Sequence, residues 1–362
     1  MASAQVHRIA VIPGDGIGHE VVPAALEALE AVAALDGSFR FAFDRFPWGC
    51  DHYLETGRMM PPDGLEQLRG YDAILLGAVG HPSVPDHVSL WGLLLPIRRT
   101  FEQYVNLRPV KLLRGVTSPL RGRGPDDIDF VVVRENNEGE YSNAGGRLFA
   151  GTPHEIVVQE SIFTRRGVER IMRFAFELAR RHPKRRLTSA TKSNGISYTM
   201  PFWDEVFREM AARYPDVATD QFHIDALAAR FVTHPHHFGV VVGSNLFGDI
   251  LTDLGAAIAG SIGIAPSANL NPERQYPSMF EPIHGSAPDI AGKGIANPVG
   301  QIWSGAMMLE HLGHPRAGRR LLAAIEHALA ERGVKTPDLG GSATTREMTQ
   351  AIVRSLDEVP DP

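Results

Sequence analysis

Asp249 and Asp253 lie in VVVGSNLFGDILTDLG, residues 240–255, where an apolar strand-like run feeds a turn and then a helix. Four residues apart on a helix, the two carboxylates share one face. Stacked there they repel each other unless a cation lies between them, and hard oxygen donors of this kind suit Mg²⁺ or Mn²⁺. The pair would equally suit a solvated acidic face near a helix N-terminus, where the macrodipole favours negative charge. Arginines form a second signal: Arg98 and Arg99 in LLPIRRTFEQYVNLRPV, Arg108 further along the same stretch, and Arg134 directly after DFVVV. Guanidinium forks grip carboxylates at two points, so several near one metal would hold a dicarboxylic or tricarboxylic acid. Arg99 reads as solvated surface, since in a helix beginning near Leu90 it points away from Arg98. Arg134 sits at a strand's carboxyl end and is followed by ENNEGEYS with Tyr141, a place where α/β proteins carry binding residues.

Other residues admit two readings each. Lys192 in TSATKSNG serves as a proton acceptor if nearby cations depress its pKa, and is otherwise an ordinary solvated lysine. Asp225 interrupts an apolar helical face in HIDALAARF. The histidines of THPHH read as a solvated loop, because the proline breaks helical ligand spacing. Trp91, Trp203 and Trp303 sit among apolar neighbours and read as packing.

The elements that must position these residues follow from the apolar rhythm. HRIAVI, AILLGAV, DFVVV, EIVVQESIF and GVVVG alternate with helical stretches such as EVVPAALEALEAVAAL and a helix from Gly167 to about His182, which argues α/β. Segments 77–85 and 263–288, rich in Gly and Pro, read as long functional loops. IPGDGIG follows a strand and precedes a helix, yet its glycines give GxGxG rather than the Rossmann spacing. It reads as a turn that lets a ligand approach the backbone, or as a purely structural turn. At 362 residues two domains are the default. A net charge of -6 without a basic patch argues against nucleic acid as a partner, no apolar run approaches a membrane span, and the single cysteine, Cys50, fits a reducing cytoplasm.

Together these motifs resemble the β-decarboxylating dehydrogenases, the family of isopropylmalate and isocitrate dehydrogenases. The likeness runs from IPGDGIG to NPVGQIWSGAMML, and its most specific piece is SNLFGDILTDLG followed by EPIHGSAPDIAGKGIANP. The resemblance implies that family's fold, two α/β domains sharing a central sheet. Residues 1–103 with 264–362 would form a discontinuous cofactor domain, and 104–263 the substrate, metal and dimerisation domain. It further implies that Asp249 and Asp253 hold the metal, joined by Asp225 of the partner subunit, and that Arg98, Arg108 and Arg134 grip the substrate carboxylates. Tyr141 would protonate C3 of the enol, and Lys192, delivered across a homodimer whose active sites are shared, would take the hydroxyl proton. His284, Gly285, Ser286, Ala287, Asp289 and Asn297 match the dinucleotide loop that replaces the Rossmann turn. Asp289 accepts from a ribose diol but repels a 2′-phosphate, so NAD is expected over NADP; a monovalent cation such as K⁺ stays open as a further cofactor.

Substrate choice rests on LWGLLLPIR. Isocitrate enzymes carry a small polar pair where Gly92 and Leu94 stand, whereas isopropylmalate enzymes match at Leu94 and Leu95 but carry an acid where Trp91 stands. Trp91 and Leu94 are therefore assigned to the substrate side. RENNEGEYSNAGG, ESIFTRRGVER, TKSNG and IGIAPSANLNPER are most similar to the branch described as tartrate dehydrogenase and decarboxylating D-malate dehydrogenase, with Asn137 in place of a threonine. The expected reaction is the NAD-dependent oxidation of D-malate to pyruvate and CO₂, with tartrate and 3-isopropylmalate as alternatives. A metal-dependent hydrolase or lyase without NAD, or a non-catalytic subunit, would have to explain the intact Tyr141, Lys192 and HGSAPD.

Overall fold

The computed structural model describes residues 4–360. Its strands are β1 (Gln5–Gly14), β2 (Phe39–Arg45), β3 (Ala73–Ala78), β4 (Val105–Lys111), β5 (Asp129–Glu135), β6 (Gly139–Leu148), β7 (Ile156–Ile162), β8 (Arg186–Thr191), β9 (Ala218–His223), β10 (Val240–Gly243), β11 (Pro266–Leu270) and β12 (Ser278–Pro282). Helices separate most of them, as the α/β rhythm requires. The chain divides into two compact units, the first comprising Met1–Gln103, Pro109–Ile128 and Ala256–Pro362, the second Tyr104–Arg108 and Asp129–Gly255. Among the described residues no helix is long and apolar enough to cross a membrane.

In the first unit the strand order is β2-β1-β3-β12-β11, parallel except for the antiparallel β11–β12 pair. The unbroken apolar runs Ile9–Ile12 and Ala73–Leu76 are fully buried, the signature of a sheet covered on both faces. The helix Gly18–Asp36 supplies one cover, burying Val21, Val22, Ala25 and Leu29. Segment 263–288 corrects its reading as a loop, because β11 and β12 form a buried antiparallel hairpin inside it. Its Ser, Asn and Pro content suggested irregular backbone, yet Ser267, Asn269 and Ser278 are buried, with hydrogen bonds such as Asn269 Nδ2 to Glu281 (2.6 Å) and Asn271 N–H to Ser278 Oγ (3.0 Å) satisfying polar atoms.

In the second unit β5-β10-β8-β9 run parallel, with Gly243 beside Arg134 and Thr191 beside His223 in register. The helices Arg165–Arg181 and Ile224–Thr233 pack on this sheet; Thr164 caps the first by accepting from Gly167 N–H. EIVVQESIF, an apolar run like those of the main sheet, behaves differently. Its strand β7 pairs only with β6 in a separate antiparallel ribbon, with all seven residues exposed. THPHH is also less solvated than expected: Pro235–His237 forms a 3-10 turn, and His237 Nε2 lies 2.7 Å from Asp220, which also accepts from Arg186 and Thr188.

Candidate active site

Parallel strands deliver the predicted residues of the second unit to one edge. Arg134 is the penultimate residue of β5, the helix Asn245–Ile258 follows β10, Lys192 follows β8, and Asp225 opens the helix after β9. Carboxyl ends of parallel strands are where α/β sheets bind ligands. Arg134, 3% exposed, donates to Asp249 through Nη1 and to Asn245 Oδ1 through Nε (3.0 Å) and Nη2 (2.6 Å). Gly248 makes room for it, since a Cβ there would stand 2.5 Å from Arg134 Cβ. Arg108 Nη1 reaches Thr252 Oγ1 at 2.5 Å and Asp249 Oδ1 at 3.5 Å, and Tyr141 Oη donates to Asp249 Oδ2 at 3.3 Å. Two guanidiniums and a phenol thus converge on Asp249, one helical turn from Asp253.

The electrostatics are those of an anion-and-cation site. Desolvation lifts the Asp253 carboxyl above its ordinary range, Arg108 opposes, and Asp249 adds to the rise. A hard divalent cation between the two aspartates would remove that penalty, so the donor set fits Mg²⁺ or Mn²⁺. Burial, then the Asp249 charge, raises the Tyr141 phenol, which keeps its proton available for donation. Lys192 Nζ and Asp225 Oδ2 form an ion pair at 2.7 Å, and that bond holds the Asp225 carboxyl below its usual range. Among the described residues no three acidic, histidine or cysteine side chains come together as a metal cage.

Glutamates that sequence reasoning passed over hold this arrangement. Glu140 bonds Ser244 and the Leu246 N–H, Glu138 bonds the N–H and hydroxyl of Thr164, and Glu135 accepts from the N–H groups of Asn137 and Glu138. Glu135 is fully buried and its carboxyl is pushed up to about 7 by desolvation. The spacing E-x-x-E-x-E before a tyrosine is the only signal the sequence offers, and solvated acids carry the same letters.

In the first unit Arg98 is 6% exposed and donates to Glu281 Oε1 at 2.6 Å, an oxygen that also accepts from Asn269. Its Nε is buried without a hydrogen-bond partner. Trp91 lies on a π-helical turn, Leu90–Leu94, that leads into the helix Leu95–Thr100. Arg99 corrects its reading as solvated surface: its guanidinium stacks over the Trp91 ring, 4.7 Å from the centroid, and burial lowers its pKa. Leu94 packs partly against the core around Leu93, Ile97 and Phe101.

The residues expected to form the dinucleotide loop are also in the first unit. His284 Nδ1 lies 3.0 Å from the Gly285 carbonyl, so it carries the proton; Nε2 is then a buried acceptor without a partner. Burial keeps the imidazole neutral by lowering its pKa. Such an orphaned acceptor fits an amino or hydroxyl donor of a nucleotide. Ala287 has φ +40°, Ser286 is buried, Gly285 and Asp289 are exposed, and Asn297 Nδ2 bonds Asp338 at 3.0 Å. A non-glycine residue at that φ is a strain that binding loops tolerate. IPGDGIG docks here by backbone: Ile17 N–H donates to Ser286 O at 2.9 Å, and a Cβ on Gly16 would lie 2.1 Å from that oxygen. Asp15 between the glycines accepts from the N–H groups of Cys50, Asp51 and Gly80, a role the motif's spacing did not reveal.

Known proteins are similar to this chain in sequence and fold. The pattern of the family described as isocitrate/isopropylmalate dehydrogenase matches residues 8–352. D-malate dehydrogenase [decarboxylating] of Escherichia coli (strain K12) is 59% identical over 356 residues, covering 96% of this chain and 98% of that protein. Tartrate dehydrogenase/decarboxylase of Pseudomonas putida is 58% identical over 361 residues, covering 98% of each. The crystal structure of isocitrate dehydrogenase from Methylococcus capsulatus superimposes with a TM-score of 0.87 at 34% identity, over 97% of this chain and 99% of that one. Matched over nearly its whole length in pattern, sequence and fold, the chain belongs to the isocitrate/isopropylmalate dehydrogenase family, on the branch of tartrate and decarboxylating D-malate dehydrogenases.

Proposed function

We propose that this chain oxidises a (2R)-2-hydroxy diacid with NAD and a divalent metal and releases CO₂, with D-malate to pyruvate as the preferred reaction and tartrate as a second substrate. The observation that carries the reading is the convergence of Arg108, Arg134 and Tyr141 on Asp249, one turn from Asp253. A divalent cation held by Asp249, Asp253 and Asp225 of the partner subunit would supply electrophilic stabilisation of charge on the substrate oxygen. With Asp249 turned to that task, Arg108 and Arg134 are released toward substrate carboxylates, and Arg134 stays oriented by Asn245. Arg98 is assigned the same task. Lys192 accepts the hydroxyl proton; Asp225 Oδ2 lies 2.7 Å from its Nζ and orients the amine. Tyr141 donates its proton to the substrate carbon that loses CO₂.

Unit 1 is proposed as the cofactor-binding part, and unit 2 as the substrate, metal and dimer-forming part. A second copy is supported by the β6–β7 ribbon, which exposes Leu148, Phe149, Ile156, Val157, Val158 and Ile162 on one hairpin. That much apolar surface marks an interaction site. A reducing, cytoplasmic location is supported by the lone Cys50, whose buried thiol is pushed up to about 12.

Absorbance of NADH on adding D-malate tests the reaction. The indole of Trp91, held by Arg99, leaves room for hydrogen or hydroxyl at C3 and crowds an isopropyl group. The kcat/KM for D-malate should therefore exceed that for 3-isopropylmalate, by about tenfold or more if the pocket rejects the extra methyl groups. The opposite ranking would overturn the substrate assignment. The cofactor preference rests on Asp289: wild type should discriminate strongly against NADP, and Asp289→Lys should narrow that gap by exchanging repulsion for a phosphate partner. Equal use of NAD and NADP by wild type would show that this carboxylate does not choose.

A further inference from the structure

Glu140 precedes Tyr141 and reaches over to the start of the helix Asn245–Ile258. Its Oε1 accepts from Ser244 Oγ at 2.8 Å and its Oε2 from the Leu246 N–H at 3.1 Å. First-turn N–H groups have no partner within their own helix, and a carboxylate there also favours the macrodipole. Asp249 follows Leu246 by three residues, within the next turn, and takes a bond from Tyr141 Oη at 3.3 Å. The contacts close a ring: Glu140 to the helix start, along the helix to Asp249, across to Tyr141, and back through one peptide bond.

We propose that Glu140 is a positioning residue that sets the Asn245–Ile258 helix against Tyr141 and thereby fixes Asp249 and Asp253 for the divalent cation. The inference rests on the reading of those aspartates as metal ligands. The side chains of the neighbouring glutamates do not share the task, because Glu135 binds N–H groups of its own turn and Glu138 holds Thr164 at the head of a different helix, although the Glu138 carbonyl accepts from Asn245 Nδ2 at 3.4 Å. Arg134 on Asn245 ties the same first turn from the strand side, so two independent anchors fix one helix end. Such outer contacts tune metal sites because they decide where the ligands stand.

The test uses the full-length enzyme with Glu140→Ala and Glu140→Gln. Mn²⁺ affinity is read from the electron paramagnetic resonance of the free ion, alongside hydrogen exchange of amides 246–249 and the kcat and KM for D-malate. The alanine variant should weaken Mn²⁺ binding at least about fivefold, the scale of a lost cap, speed exchange in the first turn, and lower kcat more than it raises KM. Glutamine keeps an oxygen acceptor and should recover most of the loss. If Glu140→Ala fails to fold, Ser244→Ala removes the bond to Glu140 Oε1 together with the Oγ bond from the Phe247 N–H (3.4 Å), and should move each quantity in the same direction. A variant that melts earlier yet keeps Mn²⁺ affinity and kcat within about twofold of wild type would overturn the inference, leaving an ordinary helix cap. Wild-type enzyme that binds no Mn²⁺ would overturn the metal reading, and the inference with it, before any substitution is made.

Discussion

Asp249→Asn should lower kcat at least about a hundredfold, equivalent to about 2.7 kcal/mol or more of lost transition-state stabilisation. The substitution keeps the shape of the side chain and removes its charge, so the loss measures electrostatics. Asp249 is the group on which Arg108, Arg134 and Tyr141 converge. An asparagine there binds a divalent cation more weakly and leaves the two guanidiniums without their shared counter-charge. The fold should survive, because Arg134 retains Asn245 Oδ1 and Arg108 retains Thr252. Mn²⁺ affinity and kcat should fall together while the circular dichroism spectrum holds. A variant that turns over D-malate like wild type, or a chelator-treated wild type with full activity, would refute the role.

What the sequence made legible was the part written locally. VVVGSNLFGDILTDLG carries its strand, its turn and the four-residue spacing of its aspartates within one short run, and the structure has strand β10 and the helix Asn245–Ile258 there. Arg134 was legible for the same reason, since an apolar run that ends on an arginine places it at a strand's carboxyl end. The hairpin of β11 and β12 was not, because buried Ser and Asn look like loop residues until their distant partners are known. Glu140, Glu281 and Asp15 were missed on the same grounds. Glu140 meets Ser244 across 104 positions, Arg98 meets Glu281 across 183, and Gly80 meets Asp15 across 65. An acid whose donors lie far away along the chain has no spacing rule to betray it.

Arg99 shows the limit of helical periodicity. A regular helix from Leu90 would turn it toward solvent, but the π-helical turn at Leu90–Leu94 adds a residue to the repeat, and Arg99 stacks on Trp91. The strand β7 shows a complementary limit, since its apolar letters promised burial that a single copy does not provide. Apolar exposure on that scale is most simply relieved by a second chain.

Mixing two dead variants should therefore restore activity. Arg134→Ala removes a charge-assisted grip beside Asp249, and Lys192→Ala removes the proposed proton acceptor, so each protein alone should be nearly inactive. Within one chain Lys192 pairs with Asp225 at 2.7 Å, and the proposed dimer presents that pair to the partner's aspartates. In a two-fold dimer built this way, each site combines Arg134 and Asp249 of one chain with Lys192 and Asp225 of the partner subunit. A mixed dimer then carries both lesions in one site and none in the other. Unfolding the variants together and refolding them should make about half of the dimers mixed, each with one intact site, so activity should return to about a quarter of wild type. Native mass spectrometry counts the mixed species independently of turnover. If mixed dimers form in that proportion and stay as inactive as their parents, Lys192 acts within its own chain and the shared site is wrong; a return toward the expected quarter, scaling with the mixed fraction, requires that neither chain is complete alone.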